Sequence, residues 1–257
     1  MRTLIIFPCA GETLVGSLDA APAATGLLIV SGGNEIRCGA HRGMAALASR
    51  LAADGVPVFR FDRRGIGDST GENGGFETSA DDIKAAAATF RAQCPQMTRL
   101  VGFGNCDGAS ALALFGRGAN IDALILANPW VIEPTDDLPP AAAIRARYAD
   151  RLRDPRAWLR MARGGVSISK VASGLSKIFK SQSQNEGTLE QTVFTALATQ
   201  DATIILADRD ATAIAFRAAA RRRRYAGPIV TVDTASHSFA RTDDKIALYE
   251  AVRAALG

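Results

Sequence analysis

Hydrophobic and polar positions along the chain fall into two alternating kinds of segment. Gly26-Leu27-Leu28-Ile29-Val30 is apolar throughout, as in a strand covered on both faces of a parallel sheet, and it ends in Ser31-Gly32-Gly33-Asn34. In residues 42–54 the apolar side chains recur at helical spacing instead, with Ala45, Leu47, Ala48 and Leu51 in one stripe that Gly55 terminates. The alternation continues with a strand at 56–61, a helix at 79–93, a strand at 99–103, a helix at 109–115 and a strand at 123–127. It resumes with a strand at 203–207, a helix at 212–224, a strand at 228–232 and a closing helix at 243–256. Two earlier strands, 3–7 and 13–18, join through Gly11 as a hairpin. Strands alternating with helices of this length predict right-handed βαβ units in a mostly parallel α/β sheet flanked by helices.

Between 133 and 200 the alternation lapses. Pro134, Pro139 and Pro140 precede helical-looking pieces at 141–153 and 155–163 and a serine-rich, weakly patterned segment at 167–187. We read this stretch as a helical cap inserted over the C-terminal edge of the sheet, where ligands bind in open α/β folds. The chain then divides into a core of residues 1–132 and 201–257 and a cap of 133–200. With 257 residues, 47% hydrophobic and 22% charged, it can bury one such core.

A net charge of +4 with acidic residues spread through the chain argues against a nucleic-acid partner. The cap is locally basic, with Arg145, Arg147, Arg151, Arg153, Arg156 and Arg160 among its cations. That bias suits a solvated helix face, and equally an acidic substrate, an acyl carrier or a membrane surface. The opening residues read as a short strand stopped by Pro8, not as a signal peptide, and no run approaches the length of a transmembrane segment. A cytoplasmic location is therefore expected. Cys9, Cys38, Cys94 and Cys106 lie far apart, with no Cys-x-x-Cys pair, so neither a disulfide framework nor a metal site is expected.

The chemistry centres on Gly104-Asn105-Cys106-Asp107-Gly108, which stands between the apolar strand Leu100-Val101-Gly102-Phe103 and a helical alanine/leucine segment. A nucleophile elbow needs residues without a Cβ two before and two after the nucleophile, because the turn is too sharp for a side chain there. Gly104 and Gly108 meet that need, and Cys106 then stands at a helix N-terminus, where backbone N–H groups favour an anion. A base must move protons, and only His41 and His237 are available. His237 follows the last strand and so emerges at the same sheet edge as the elbow. The chain order nucleophile, acid, histidine places the acid after the penultimate strand, where Asp208 and Asp210 compete. Asp210, farther round the loop, is favoured, while Asp208 is expected to pair with Arg209 or the loop backbone. The oxyanion is expected to be held by the Asp107 N–H and by Gly33 or Asn34. Arg37, His41 and Arg42 either line the pocket and hold a carboxylate or phosphate, or only fix the loop before the first helix. The loop Phe61-Asp62-Arg63-Arg64-Gly65-Ile66-Gly67-Asp68-Ser69 reads as architectural, and Ser69 has no elbow around it.

These motifs together resemble the exosortase A system-associated hydrolases, type 1, of the α/β-hydrolase superfamily. The resemblance is carried by Gly32-Gly33 with Arg37 and Gly39-Ala40-His41-Arg42, and by Arg60-Phe61-Asp62 with Arg64-Gly65 and Gly67-Asp68-Ser69. Cys106-Asp107-Gly108-Ala109-Ser110, Asp210-Ala211-Thr212-Ala213 and His237 with Phe239 complete it, and Arg147-Tyr148, Arg151-Leu152 and Trp158 extend it into the cap. It spans nearly the whole chain, departing at Ala40, where members usually carry serine. It implies an α/β-hydrolase fold, reinforces Asp210 over Asp208, and implies a gene neighbourhood of exopolysaccharide production and the sorting of C-terminally anchored proteins.

The leading expectation is hydrolysis of a small-molecule or carrier-linked ester or thioester through a Cys106-His237-Asp210 triad and a covalent acyl-enzyme, with no cofactor. Two alternatives stand beside it. An acceptor hydroxyl in place of water would make the protein an acyltransferase in polysaccharide modification, and a silent elbow would leave a binding scaffold.

Overall fold

The computed structural model describes residues 2–132 and 188–257. The helical pieces expected at 141–153 and 155–163, the segment at 167–187 and the basic residues of the cap lie outside the described residues. The strands are β1 (Arg2–Cys9), β2 (Glu12–Asp19), β3 (Thr25–Val30), β4 (Val58–Phe61), β5 (Arg99–Asn105), β6 (Ala123–Ala127), β7 (Ala202–Ala207) and β8 (Ile229–Val232). They form one eight-stranded sheet in the order β1-β2-β4-β3-β5-β6-β7-β8. β1 and β2 pair antiparallel, as do β2 and β4, and every later pairing is parallel. The sheet is the mostly parallel α/β arrangement that the sequence pattern predicts.

The continuous apolar strands are explained by the two layers they serve. Along β3, Leu28 and Val30 face one core and Leu27 and Ile29 the other, since successive side chains of a strand point to opposite faces. The first core is closed by α2 (Ala80–Gln93) and α3 (Asp107–Phe115) and the second by α1 (Gly43–Ala53) and α6 (Thr242–Leu256). β4 begins at Val58 instead of 56 because Pro57 lacks a ladder donor and the Val56 N–H is spent on the Leu51 carbonyl at 3.0 Å.

Inside the stretch read as cap, Thr188–Leu197 forms a helix, α4, with Leu189, Val193, Phe194 and Leu197 buried in the first core. Phe194 stacks on Phe216 of α5 (Ala211–Arg222) at 5.2 Å between ring centroids, a pair worth about 1 kcal/mol beyond its buried area. Among the described residues no helix is long and apolar enough to cross a membrane.

Candidate active site

β5 ends at Asn105, Cys106 takes φ 58° and ψ −127°, and α3 begins at Asp107. A side chain other than glycine tolerates that backbone only where the surroundings hold it. Here the Cys106 N–H donates to the Ala127 carbonyl at 3.0 Å, and the Cys106 carbonyl accepts from Ala109 and Trp130 at 3.1 and 3.2 Å. The turn leaves no room at its flanks. A Cβ on Gly104 would lie 2.6 Å from the Gly108 carbonyl carbon, and one on Gly108 would lie 2.6 Å from the Val30 carbonyl oxygen. The helix begins two residues earlier than the apolar pattern indicates, so the thiol stands directly at its N-terminus.

The loops that meet this elbow come from the C-terminal ends of neighbouring strands. His237, after β8, places Nδ1 3.0 Å from Asp210 Oδ2. With Nδ1 spent there, Nε2 is the nitrogen left for the Cys106 sulfur, a hydrogen-bond partner of the ring. Asp210 and Cys106, as hydrogen-bond partners and as nearby negative charge, outweigh the opposing effect of burial and push the His237 pKa up to about 10. The ring therefore keeps its proton at neutral pH. Asp210 is the N-cap of α5, and its Oδ2 also accepts from Thr212 N at 3.0 Å and Ala213 N at 3.1 Å. Burial alone would raise this carboxyl, yet the bonds from His237 and the two amides hold it below its ordinary range.

Asp208 faces elsewhere. Its carboxylate pairs with Arg217 at 2.6 Å, not with Arg209 or the loop backbone, the two partners expected, and Arg209 pairs with Asp233 at 3.1 Å. The cause is helical: Arg217 stands on α5 within reach of the end of β7, while Arg209 reaches across to Asp233, just after β8.

At the proposed oxyanion loop, Gly33 is not a free donor. Its N–H donates to the Asp107 carboxylate at 2.5 Å, and its carbonyl accepts from Arg63 Nη2 at 2.5 Å. The Asn34 N–H has no acceptor among the described residues, and the Asn34 side chain bonds Asn73 at 2.8 Å. The Asp107 N–H, in the first turn of α3, likewise has none among them.

Arg37 is engaged by the fold: its guanidinium contacts Asp62, Asp68 at 2.8 Å and Ser17 Oγ at 3.1 Å. His41 and Arg42 are exposed, both in the left-handed region at φ 50° and 56°, and their side chains make no hydrogen bond or ion pair among the described residues. They sit beside the His237 loop, since a Cβ on the next residue, Gly43, would lie 3.9 Å from the Ser238 carbonyl oxygen. Ser69 donates to the Asp62 carbonyl at 2.7 Å and accepts from Val15 N at 3.0 Å, which ties the β4 loop to β2.

Three groups at the site escape sequence reasoning. Asn128, fully buried, donates to the His237 carbonyl at 3.1 Å and accepts from Ala207 N at 2.8 Å, and Asn105 donates to the same His237 carbonyl at 3.3 Å. The signal for Asn128 is an amide side chain at the end of an otherwise apolar strand. The carboxylate of Asp107 and the guanidinium of Arg63 are the other two, hidden because each lies in a motif whose backbone draws the attention.

The profile of the Alpha/beta hydrolase family matches residues 27–248. No curated protein matches the chain. Among solved structures, it resembles the alpha/beta hydrolase GrgF from Penicillium sp. sh18, with TM-score 0.68 and 15% identity over 100% of this chain and 98% of that one. It also resembles the Pyrococcus furiosus esterase Pf2001, with TM-score 0.64 and 16% identity over 100% of this chain and 93% of that one. A third likeness is to XC6422 from Xanthomonas campestris, described as an a/b serine hydrolase without lid, with TM-score 0.60 and 18% identity over 99% of this chain and 93% of that one.

Proposed function

Because the chain belongs to the alpha/beta hydrolase family, we propose that it is a cysteine hydrolase of ester or thioester bonds, with Cys106 as nucleophile, His237 as acid and base, and Asp210 as orienting acid. The observation that carries this reading is the chain of contacts from the Asp210 carboxylate to His237 Nδ1 at 3.0 Å, and from the ring to the sulfur at the apex of the elbow. The Cys106 sulfur attacks the substrate carbonyl carbon, and the oxygen takes the negative charge against the N–H groups of Asp107 and of Gly33 or Asn34. Collapse of this intermediate expels the alkoxide or thiolate, which takes the proton from His237. Water, deprotonated by His237, then attacks the thioester and releases the acid, and Cys106 returns as the leaving group.

Arg42 adds a cationic side chain at the rim and His41 an imidazole that can hydrogen-bond, which favours substrates carrying a carboxylate or phosphate. The stretch at 133–200, read from the sequence as a cap, is in this reading the part that selects the acyl group. The motif set from Gly32 to Phe239 supports assignment to the exosortase A system-associated branch, with a substrate linked to exopolysaccharide production and a cytoplasmic site of action.

The test is hydrolysis of p-nitrophenyl esters of short acids. The wild type should turn over, and Cys106→Ala and His237→Ala should lose activity by about three orders of magnitude or more. Full activity in either variant sinks the mechanism.

A further inference from the structure

The Gly33 N–H, one of the two candidate oxyanion donors of its loop, is capped by a carboxylate of the protein itself, at 2.5 Å from Asp107. Beside it lies a cation with no ion-pair partner among the described residues. Arg63 is only 4% exposed, its Nη2 holds the Gly33 carbonyl at 2.5 Å, and its Nε and Nη1 have no partner among the described residues. Buried guanidinium nitrogens without acceptors are costly, and a nearby carboxylate is their natural partner. Two carboxylates lie within its field, those of Asp107 and Asp82. Asp82 is already committed, with Oδ1 accepting from Arg64 Nε at 2.5 Å and Oδ2 from Arg64 N at 3.1 Å. Asp107 Oδ2 has no partner among the described residues.

We infer that Asp107 is a two-position positioning residue: in the free protein its carboxylate caps the Gly33 N–H, and when a carbonyl oxygen arrives it moves onto one of the two unpartnered nitrogens of Arg63. The move frees the oxyanion donor at the moment it is needed. It also gives the buried guanidinium a carboxylate partner, so the substrate oxygen displaces a bond that is remade elsewhere. Arg63 stays attached to the Gly33 carbonyl throughout, which keeps the loop in place while the carboxylate changes seats. The inference rests on the hydrolase reading proposed above.

The two seats make opposite demands on variants. Arg63→Met removes the second seat, so the carboxylate stays on Gly33 and kcat should fall by roughly ten- to a hundredfold, the upper end being the loss of one oxyanion donor. Asp107→Ala removes the competitor and should raise kcat. The double variant Arg63→Met/Asp107→Ala should recover to the wild-type rate or above, because no carboxylate is left to be parked. A double variant as slow as Arg63→Met overturns the inference, since Arg63 would then only brace the loop.

A second readout needs no turnover. The Gly33 amide proton, followed by NMR, should shift on Asp107→Ala in the free protein. After alkylation of Cys106 with chloroacetone, which carries a carbonyl oxygen to the site, that dependence on Asp107 should vanish in the wild-type background and persist in Arg63→Met. An amide insensitive to Asp107→Ala in the free protein overturns the inference. A wild type inert toward esters overturns the hydrolase reading instead, and the amide signal then decides this inference by itself.

Discussion

The Asn128 side-chain amide holds the backbone carbonyl of His237 at 3.1 Å, and so ties the histidine loop to the strand beside the nucleophile. Because Asn128 also accepts from Ala207 N at 2.8 Å, one buried amide joins β6, β7 and the loop after β8. Asn128→Ala should cost about 1–3 kcal/mol of stability for the groups left unpaired, and lower kcat by up to about a hundredfold as the ring loses its aim. Asn105→Ala, which leaves the Asn128 bond in place, should do less of both. Thermal unfolding and steady-state kinetics on the pair separate the effects: a lowered Tm with unchanged kcat in Asn128→Ala would show that the amide serves only the fold.

The folded-state pKa of His237, about 10, lies above the 6.5 of a free ring. The pairing with Asp210 and Cys106 therefore stabilises the fold fully below about 6.5, and that contribution is lost as pH rises through about 10. Activity should follow the same group. The proton delivered to the leaving group disappears as the ring titrates, so kcat/KM should hold through pH 8–9 and decline near pH 10. Asp210→Asn should move that alkaline limb to lower pH. A limb that stays in place would show that Asp210 does not set the protonation of His237.

Crowding at the elbow predicts unequal costs for two glycines. Gly108→Ala drives a Cβ to 2.6 Å from the Val30 carbonyl oxygen and should destabilise by about 2 kcal/mol or more, with loss of activity. Gly33→Ala meets no atom within 4 Å but must hold φ +53°, so about 1 kcal/mol is expected. Chemical denaturation of the two variants checks the order, and equal midpoints would contradict it.

Thiol chemistry should single out the elbow from the core. The Cys9 thiol is buried, lies 3.4 Å from Asp82 Oδ1, and is pushed up to about 11 by burial and then by that carboxylate; burial likewise raises Cys94. In a Cys38→Ser background, limiting iodoacetamide at pH 7.5 should label Cys106 while Cys9 and Cys94 react only on unfolding. Mass spectrometry of tryptic peptides reads the outcome, and early labelling of Cys9 would contradict the burial argument.

Much of the architecture is legible because the relevant physics is local. Continuous apolar runs mark strands covered on both faces, and Leu27 to Val30 divide between two cores as period two requires. The elbow is legible because Gly104 and Gly108 sit at the only spacing the turn allows. What stays hidden depends on side-chain rotamers across the sheet edge. The Asp107 carboxylate folds back on Gly33, and Asn128 reaches a carbonyl more than a hundred positions away, at His237. Helix α4 was within reach: Leu189, Val193, Phe194 and Leu197 repeat at helical spacing, but they follow a weakly patterned stretch and so read as its continuation.

Asp210 has two employments, one as the cap of α5 and one beside His237. Asn is as good a cap as Asp, so Asp210→Asn should leave the helix nearly as stable while activity drops, whereas Asp210→Ala should lose about 1 kcal/mol as well. The double employment changes how related sequences are to be interpreted. A chain that had abandoned catalysis would still be under pressure to keep a short polar side chain here, because α5 needs it. An aspartate surviving at this position in a relative therefore speaks for an intact helix before it speaks for a working enzyme, and the cysteine and histidine are the residues whose loss would mark retirement from chemistry.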